Sequence, residues 1–166
     1  MTIVEACEAK TNVRPEFPMG WYSVARSHEL LVGEVKPVQA FDRELVLYRT
    51  RSGRAVLQDA FCPHLGAHLG YKGRVVGESV RCPFHGWQFG AEDGKCVKIP
   101  YCDEIPERAQ IRTWHVEEKN GEVYMWFHPE NTSPEWGLPE LPELGDPHWT
   151  APRYTEHLVP AHVQDI

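Results

Sequence analysis

Two short cysteine–histidine motifs constrain this chain more than any other feature of its sequence. Cys62 and His64 form a C-x-H motif, Cys82 and His85 form a C-x-x-H motif, and seventeen residues separate the two motifs. A glycine closely follows each motif, and glycine lets a backbone approach a metal centre closely. Two thiolates and two imidazoles are ligands for zinc or for iron–sulfur chemistry. The fold must therefore bring two separate loops together.

The distribution of the ligands distinguishes the two kinds of metal site. Zinc fingers pair their ligands as C-x₂₋₄-C and H-x₃₋₅-H, whereas each motif here supplies one cysteine and one histidine. A [2Fe–2S] cluster with cysteines on one iron and histidines on the other uses two ligands of each type. The pattern favours the cluster and leaves a structural zinc site as the alternative.

Short runs of β-branched and aromatic residues predict an all-β fold, a small antiparallel β-sandwich or barrel. The predicted strands are GWYSVA, EVKPVQAF, ELVLYRT, RAVLQDAF, SVRCPF, WQFG, AQIRTWHVEE and EVYMWFH. Asn120-Gly121 separates the last two and predicts a type I′ hairpin. One helical turn is expected over residues 27–31, with Ser27 as its N-cap.

The chain of 166 residues is about one domain long. Residues 1–19 are predicted to form a polar arm, and residues 20–128 to form the β domain. Residues 129–166 contain seven of the fourteen prolines and are predicted to be a connector to a further domain, with Trp136 as its anchor.

Composition excludes several classes of protein. The 17 Lys and Arg against 24 Asp and Glu give a net charge of −7 without a basic cluster, which disfavours nucleic-acid binding. No run reaches the ~18 apolar residues of a membrane span, and no signal peptide is expected at the start. Five cysteines are too few for a disulfide scaffold, so a reducing, cytoplasmic setting and a metal-binding role are predicted.

The segments AFCPHLGAHLG and VRCPFHGWQFG resemble the two cluster-binding loops of Rieske-type non-haem iron oxygenases. The likeness extends through MGWYSVA, GRVVGESV, DGKCVKIPY and TEHLVPAHVQDI. Within that family the chain resembles cholesterol 7-desaturases of the Neverland type and 3-ketosteroid 9α-hydroxylase oxygenases. The resemblance implies a Rieske [2Fe–2S] cluster, with Cys62 and Cys82 on one iron and His64 and His85 on the other.

The resemblance also implies a function. These residues would transfer one electron within a terminal oxygenase that desaturates or hydroxylates a steroid or sterol, using O₂ and electrons from NAD(P)H. A ferredoxin or an NAD(P)H-dependent reductase would be the electron donor, and the full-length form would be a homotrimer. The mononuclear Fe(II) site would begin just beyond Ile166, so the 166 residues alone are expected to be catalytically incomplete. The alternative is a free-standing Rieske ferredoxin that acts as a carrier.

The reduction potential can also be predicted from the resemblance. Respiratory Rieske proteins carry an extra cysteine in each loop, at the positions of Ala67 and Phe84, and hydroxyl donors just after the second histidine. Here residues 86–89 read GWQF, without a hydroxyl. Fewer donors stabilise the reduced cluster less, which predicts a potential of about −150 mV, the low end of the Rieske range.

Other residues near the motifs have simpler interpretations. His68 is expected to pack or hydrogen-bond under the first loop, and Cys96 and Cys102 are expected to be small buried thiols. Trp87 and Phe89 are predicted to shield the cluster from water.

Two groups of charged residues are expected to have no role in binding a metal or a partner. Lys72 and Arg74 are expected to be solvated, with docking of an acidic electron donor as the alternative. A histidine and carboxylate group near the chain end is expected to be a strand or loop, with a metal site as the alternative. The metal site is disfavoured because the spacing of His157 and His162 does not place them on one helix face and Pro160 lies between them. That group consists of Glu156, His157, His162 and Asp165.

Overall fold

The computed structural model describes residues 17–157 and 159–161. Within these residues strands dominate and no α-helix occurs, which confirms the predicted all-β class. The eleven strands are β1 (Gly20–Arg26), β2 (Val35–Ala40), β3 (Arg43–Arg49), β4 (Ala55–Asp59), β5 (Arg74–Val76), β6 (Ser79–Arg81), β7 (Gln88–Gly90), β8 (Cys96–Lys98), β9 (Thr113–Trp114), β10 (Val116–Lys119) and β11 (Glu122–Phe127). Short 3₁₀ turns cover Ser27–Glu29 and Pro142–Gly145. The described residues contain no helix long and apolar enough to cross a membrane.

The strands form three antiparallel sheets. The central sheet has the order β2-β3-β4-β9, a three-stranded sheet has the order β1-β11-β10, and a sheet of four short strands has the order β5-β6-β7-β8. In the central sheet, Leu45 of β3 lies opposite Asp59 of β4, and Arg49 lies opposite Ala55. The short-stranded sheet is the one that presents the predicted metal-binding loops.

Strand β3 is buried on both faces and therefore separates two cores. Leu45 and Leu47 belong to the core shared with the three-stranded sheet. Val46 and Tyr48 belong to the core shared with the short-stranded sheet. Successive side chains of a strand point to opposite faces, so the unbroken apolar run of β3 is explained by a partner sheet on each side.

A buried glutamine links the central sheet to the short-stranded sheet. Gln58 of β4 is fully buried. Its Nε2 donates to the Gly90 carbonyl of β7 at 2.7 Å and to Thr113 Oγ1 at 3.0 Å, while its Oε1 accepts from the Tyr48 hydroxyl at 3.1 Å. Both polar ends of the amide are thus satisfied. Burial raises the pKa of Tyr48, which keeps this hydroxyl a donor.

At the three-stranded sheet, the predicted hairpin is correct and the predicted N-cap is not. The Asn120-Gly121 hairpin is confirmed, since both residues have positive φ angles, of 54° and 80°, between β10 and β11. The N-cap assignment of Ser27 is wrong, because Ser27 is the first residue of the 3₁₀ turn and Arg26 precedes it in extended conformation. The backbone N–H of Ser27 donates to the Gly121 carbonyl at 2.8 Å, so the hairpin fixes this position.

Two strands of the short-stranded sheet, β5 and β8, escaped prediction. Each is three residues long, which is too short for an alternating hydrophobic pattern to emerge. The predicted strand AQIRTWHVEE is in fact two strands, β9 and β10, which join different sheets around His115.

The segment after β11 contains no strand in its described part and is held on the three-stranded sheet. The Trp136 ring packs edge-on against Trp126, with ring centroids 4.6 Å apart. The Trp136 carbonyl accepts from Trp21 Nε1 at 2.8 Å. The predicted anchoring by Trp136 is therefore confirmed, although its ring is still half exposed. The exact domain boundaries stay a prediction, and residues 1–16 of the predicted arm lie outside the described residues.

Candidate metal centre

The two cysteine–histidine motifs form loops that close in the same way. Cys62 lies in the connection from β4 to β5, and Cys82 follows directly after β6. The N–H of each cysteine donates to the carbonyl five residues later, at 2.9 Å for Cys62 and 2.8 Å for Cys82. The carbonyl of each accepts from the glycine four residues later, at 2.9 Å and 3.2 Å respectively. The loops therefore present their cysteines from equivalent positions.

The glycines are required by the backbone conformation of the loops. Gly66 has a φ angle of +70° and Gly86 one of +73°, a left-handed conformation that strains residues with a side chain. The sequence places glycine at the one position of each loop where the chain turns back toward its cysteine.

The two predicted cysteine ligands are buried next to each other. Cys62 and Cys82 are 2% and 3% exposed and form no disulfide. Burial, with a smaller contribution from the adjacent Cys82 thiol, raises the pKa of Cys62 to about 11, although the backbone amides of His64 and Leu65 act to lower it. Such a thiol ionises when a metal compensates the charge, so metal binding would release a proton.

The rings of the two predicted histidine ligands lie against each other. The rings of His64 and His85 have centroids 4.7 Å apart and are nearly perpendicular, at 79°. His64 is half-buried, whereas His85 is exposed. The structure thus brings the two thiols together and the two imidazoles together, with the thiols buried and the imidazoles more open to solvent.

The types of the four predicted side chains match the ligands of a two-iron cluster. Two thiols and two imidazoles are the donor set of a [2Fe–2S] cluster with one ligand type on each iron. No three His, Cys, Asp or Glu side chains in the described part of the chain lie close enough together to hold one metal ion. Of the predicted group near the chain end, His162 and Asp165 lie outside the described residues, and Glu156 pairs with Arg26 at 2.7 Å.

His68 packs and hydrogen-bonds beside the first loop, as the sequence predicts. Its Nδ1 accepts from the Gly70 N–H at 3.0 Å, and its Nε2 lies 3.2 Å from Glu44 Oε2. The rings of Phe61 and Tyr71 pack on both sides, with centroids 5.2 and 4.5 Å away. His68 therefore holds the base of the first loop in place.

Cys96 is buried, as the sequence predicts, but Cys102 is not. Trp87, Phe89 and Cys96 are buried in the core that also contains Cys62 and Cys82. The prediction of a buried Cys102 is wrong, because that residue is exposed in the turn after β8, where its Sγ lies 3.3 Å from the Glu104 carbonyl. Spacing around KIPY offers no sign that one thiol is buried and the other is not.

Trp87 makes the most direct aromatic contact with the candidate centre. Its indole lies flat on the His64 imidazole, with centroids 4.7 Å apart and 8° between the planes. Its Nε1 donates to the Tyr101 hydroxyl at 2.7 Å. The role of Tyr101 was not predicted, since fourteen residues and two strands separate it from Trp87 and no motif connects them.

A cavity of about 570 Å³ opens beside His85 and carries positive charge. Its lining includes Lys72, Arg74, Arg81, Phe84 and Tyr101. These three cations form no ion pair with another described residue. The cavity therefore offers unpaired positive charge next to an exposed imidazole, in a protein of net charge −7.

A family model for the Rieske [2Fe–2S] domain matches residues 20–114, more than half of the chain. This chain belongs to the Rieske family. The match runs from β1 to β9 and includes both loops, and membership implies a [2Fe–2S] cluster in this Rieske domain.

Curated relatives of this Rieske domain include two enzymes named for sterol or steroid chemistry. The cholesterol 7-desaturase nvd of Xenopus laevis is 42% identical over 99% of this chain. The oxygenase component of the 3-ketosteroid-9-alpha-monooxygenase of Rhodococcus rhodochrous is 37% identical over 83%. In both comparisons the chain spans only 36% of the relative's length.

Solved structures of two other oxygenases resemble the Rieske domain in fold. Apo dicamba monooxygenase matches with a TM-score of 0.64 and 28% identity, over 77% of this chain and 39% of that one. The reduced complex between oxygenase and ferredoxin in carbazole 1,9a-dioxygenase matches with a TM-score of 0.59 and 28% identity, over 67% and 29%.

Proposed function

We propose that this Rieske domain holds a [2Fe–2S] cluster through Cys62 and Cys82 on one iron and His64 and His85 on the other, and transfers one electron. The observation that supports the proposal is that two equivalently closed loops place their buried thiols next to each other and their imidazole rings next to each other. When bound, the cluster supplies a reversible one-electron carrier.

The two sides of the site have different surroundings, a buried core on the thiol side and solvent on the imidazole side. The core around Cys62 and Cys82 excludes water from the thiolate side, and the amides of His64 and Leu65 face the Cys62 sulfur. The exposed ring of His85 gives a partner direct access from solvent. Electron transfer is expected through this exposed side, since the opposite side is covered by the core.

We further propose that the complete protein is the terminal oxygenase of a multicomponent system, acting on a steroid or sterol with O₂ and NAD(P)H-derived electrons. The two relatives named for cholesterol and ketosteroid chemistry support this substrate class. A mononuclear Fe(II) site and a homotrimeric assembly belong to the same proposal, as does a cytoplasmic location, which the free thiols of Cys96 and Cys102 support. A stop codon directly after Ile166 would favour the free-standing carrier instead.

The electron donor is proposed to be an acidic ferredoxin or reductase that docks at the cationic cavity. Unpaired Lys72, Arg74 and Arg81 beside His85 support this partner by charge complementarity. The related carbazole oxygenase forms a complex with a ferredoxin. Docking there would bring the donor to the exposed imidazole.

Charge reversal tests this docking surface. The double variant Lys72→Glu/Arg74→Glu is expected to slow reduction by an acidic ferredoxin about tenfold at low salt, and less as salt screens the charges. Arg153→Glu, which reverses an exposed cation on the connector, is the matched control and is expected to have little effect. Equal rates for the double variant and the control would place docking elsewhere.

Metal analysis of anaerobically purified protein tests the central proposal. Two irons and two acid-labile sulfides per chain are expected, with a rhombic EPR signal of low average g after reduction by dithionite. One zinc per chain without sulfide, persisting after iron–sulfur reconstitution, would overturn the electron-transfer function and leave the structural zinc domain.

A further inference from the structure

Tyr101 reaches the candidate centre from outside both ligand loops. It lies in a short turn in which Ile99 and Cys102 pair across the chain. Its ring is 62% exposed, but its hydroxyl accepts a 2.7 Å hydrogen bond from the buried indole N–H of Trp87. The exposed Tyr101 hydroxyl thus satisfies a buried hydrogen-bond donor on another residue, which would otherwise have no partner in the described part of the chain.

Trp87 connects the two ligand loops to each other. Its backbone carbonyl accepts from the Cys82 N–H at 2.8 Å and thereby closes the second loop. Its indole lies flat on His64 of the first loop, at 4.7 Å and 8°. The orientation of the indole therefore sets how one face of the His64 imidazole is covered.

The two histidines are not covered equally. The residue of the first loop that corresponds to Trp87 is Ala67, which has no ring to cover His85. Among the described residues, the nearest aromatic contact of His85 apart from His64 is Phe84, whose ring lies edge-on to it with centroids 6.1 Å apart. Shielding from water is thus concentrated on His64 and depends on the angle at which the Trp87 indole is held.

We propose that Tyr101 is a positioning residue, which holds the Trp87 indole flat on His64 and so keeps water from one face of this cluster ligand. This inference rests on the proposed cluster function. Without the hydroxyl, the buried indole N–H loses its partner, the ring turns to find another, and water approaches His64. Because water stabilises the more negative reduced cluster, the reduction potential rises.

The test compares two tyrosine variants of the cluster-loaded protein. Tyr101→Phe removes the hydroxyl that contacts Trp87. Tyr71→Phe is the matched control, because Tyr71 is also 62% exposed and packs on a histidine, but on His68. The midpoint potential and the EPR g values are measured for both, with iron content verified. Tyr101→Phe is expected to favour the reduced cluster about threefold, a rise of ~28 mV for one electron at 59 mV per tenfold, while Tyr71→Phe matches the wild type.

A second background shows whether Tyr101 acts through Trp87. In Trp87→Phe the indole N–H is absent, so the further change Tyr101→Phe is expected to have no additional effect on potential or g values. A shift of the same size in that background would overturn the inference, as would identical potentials for Tyr101→Phe and Tyr71→Phe.

The remaining outcomes are also decisive. If Tyr101→Phe does not retain its cluster, Tyr101→Gln decides, because its amide oxygen can accept from the indole. A loaded Tyr101→Gln protein with the wild-type potential supports the positioning role, and a shifted or empty one overturns it. If the wild-type protein itself assembles no cluster, the proposed function fails and not merely the role of Tyr101.

Discussion

Gly66 and Gly86 occupy the same position in two loops that close alike, but their surroundings differ. Each donates its N–H to the cysteine carbonyl four residues earlier, and their φ angles differ by only a few degrees. A Cβ on Gly66 would meet nothing within 4 Å, whereas one on Gly86 would lie 2.9 Å from Pro100 Cγ. The turn that carries Tyr101 therefore packs directly against the second loop.

Alanine at each glycine is expected to reveal this difference. Both Gly66→Ala and Gly86→Ala incur left-handed strain of about 1–2 kcal/mol. Gly86→Ala is expected to lose about a further 1–3 kcal/mol through overpacking against Pro100. Urea denaturation of both variants measures the free energies of unfolding. Equal losses would show that the 99–102 turn moves aside without cost.

Loss of the proposed ligands is expected to abolish the cluster, whereas loss of a neighbouring buried thiol is not. Cys82→Ala removes one proposed thiolate. Cys96→Ala is the matched control, since Cys96 is buried in the same core but belongs to neither motif. Iron and sulfide per chain are expected to fall to near zero in the first variant and to stay at two in the second. Cluster loss in both would mean that the core, and not the ligand, had been disrupted.

The reduction potential is expected near the low end of the Rieske range, at about −150 mV. Residues 86–89 of the second loop supply no hydroxyl. The nearby Tyr101 hydroxyl contacts the Trp87 indole. A redox titration followed by visible absorbance or EPR measures the value. A midpoint well above 0 mV would show that other hydrogen bonds stabilise the reduced cluster.

Acid is expected to weaken the fold through the ion pair between Arg49 and Glu118. Arg49 Nη1 and Nη2 bind the two carboxylate oxygens at 2.8 and 2.9 Å. The hydrogen bond from Arg49 lowers the pKa of Glu118. The carboxylate therefore contributes stability above its unfolded pKa of about 4.3, and this contribution is lost as pH falls through the lowered folded pKa.

Glu118→Gln tests this contribution directly. At pH 7 it is expected to cost about 1–2 kcal/mol, with a smaller deficit at pH 3, where the wild type has begun to lose the same interaction. Glu117→Gln is the control, because among the described residues Glu117 forms an ion pair with Lys119 alone, at 3.9 Å. Urea denaturation at both pH values gives the comparison, and a deficit independent of pH would assign the loss to packing.

The parts of the site that sequence could predict are those specified by local chemistry. Cys62, His64, Cys82 and His85 are recognisable because ligand type and spacing are properties of short segments, and Asn120-Gly121 identifies its hairpin in the same way. The contact between Tyr101 and Trp87 depends on how β7 and β8 fold back, which no local pattern encodes. The strands β5 and β8 exist because neighbouring strands pair with them, as three residues alone specify little. The exposure of Cys102 likewise depends on a turn whose direction is set by tertiary packing.

The two-sided burial of β3 has a consequence for how the molecule opens. Leu45 and Leu47 pack in one core, while Val46 and Tyr48 pack in the other. Opening either core therefore exposes one face of β3. Partial opening that frees only one sheet leaves β3 bound by the other. The amide protons of β3 are therefore expected to exchange with solvent only when the whole domain unfolds, as the slowest-exchanging group in the protein.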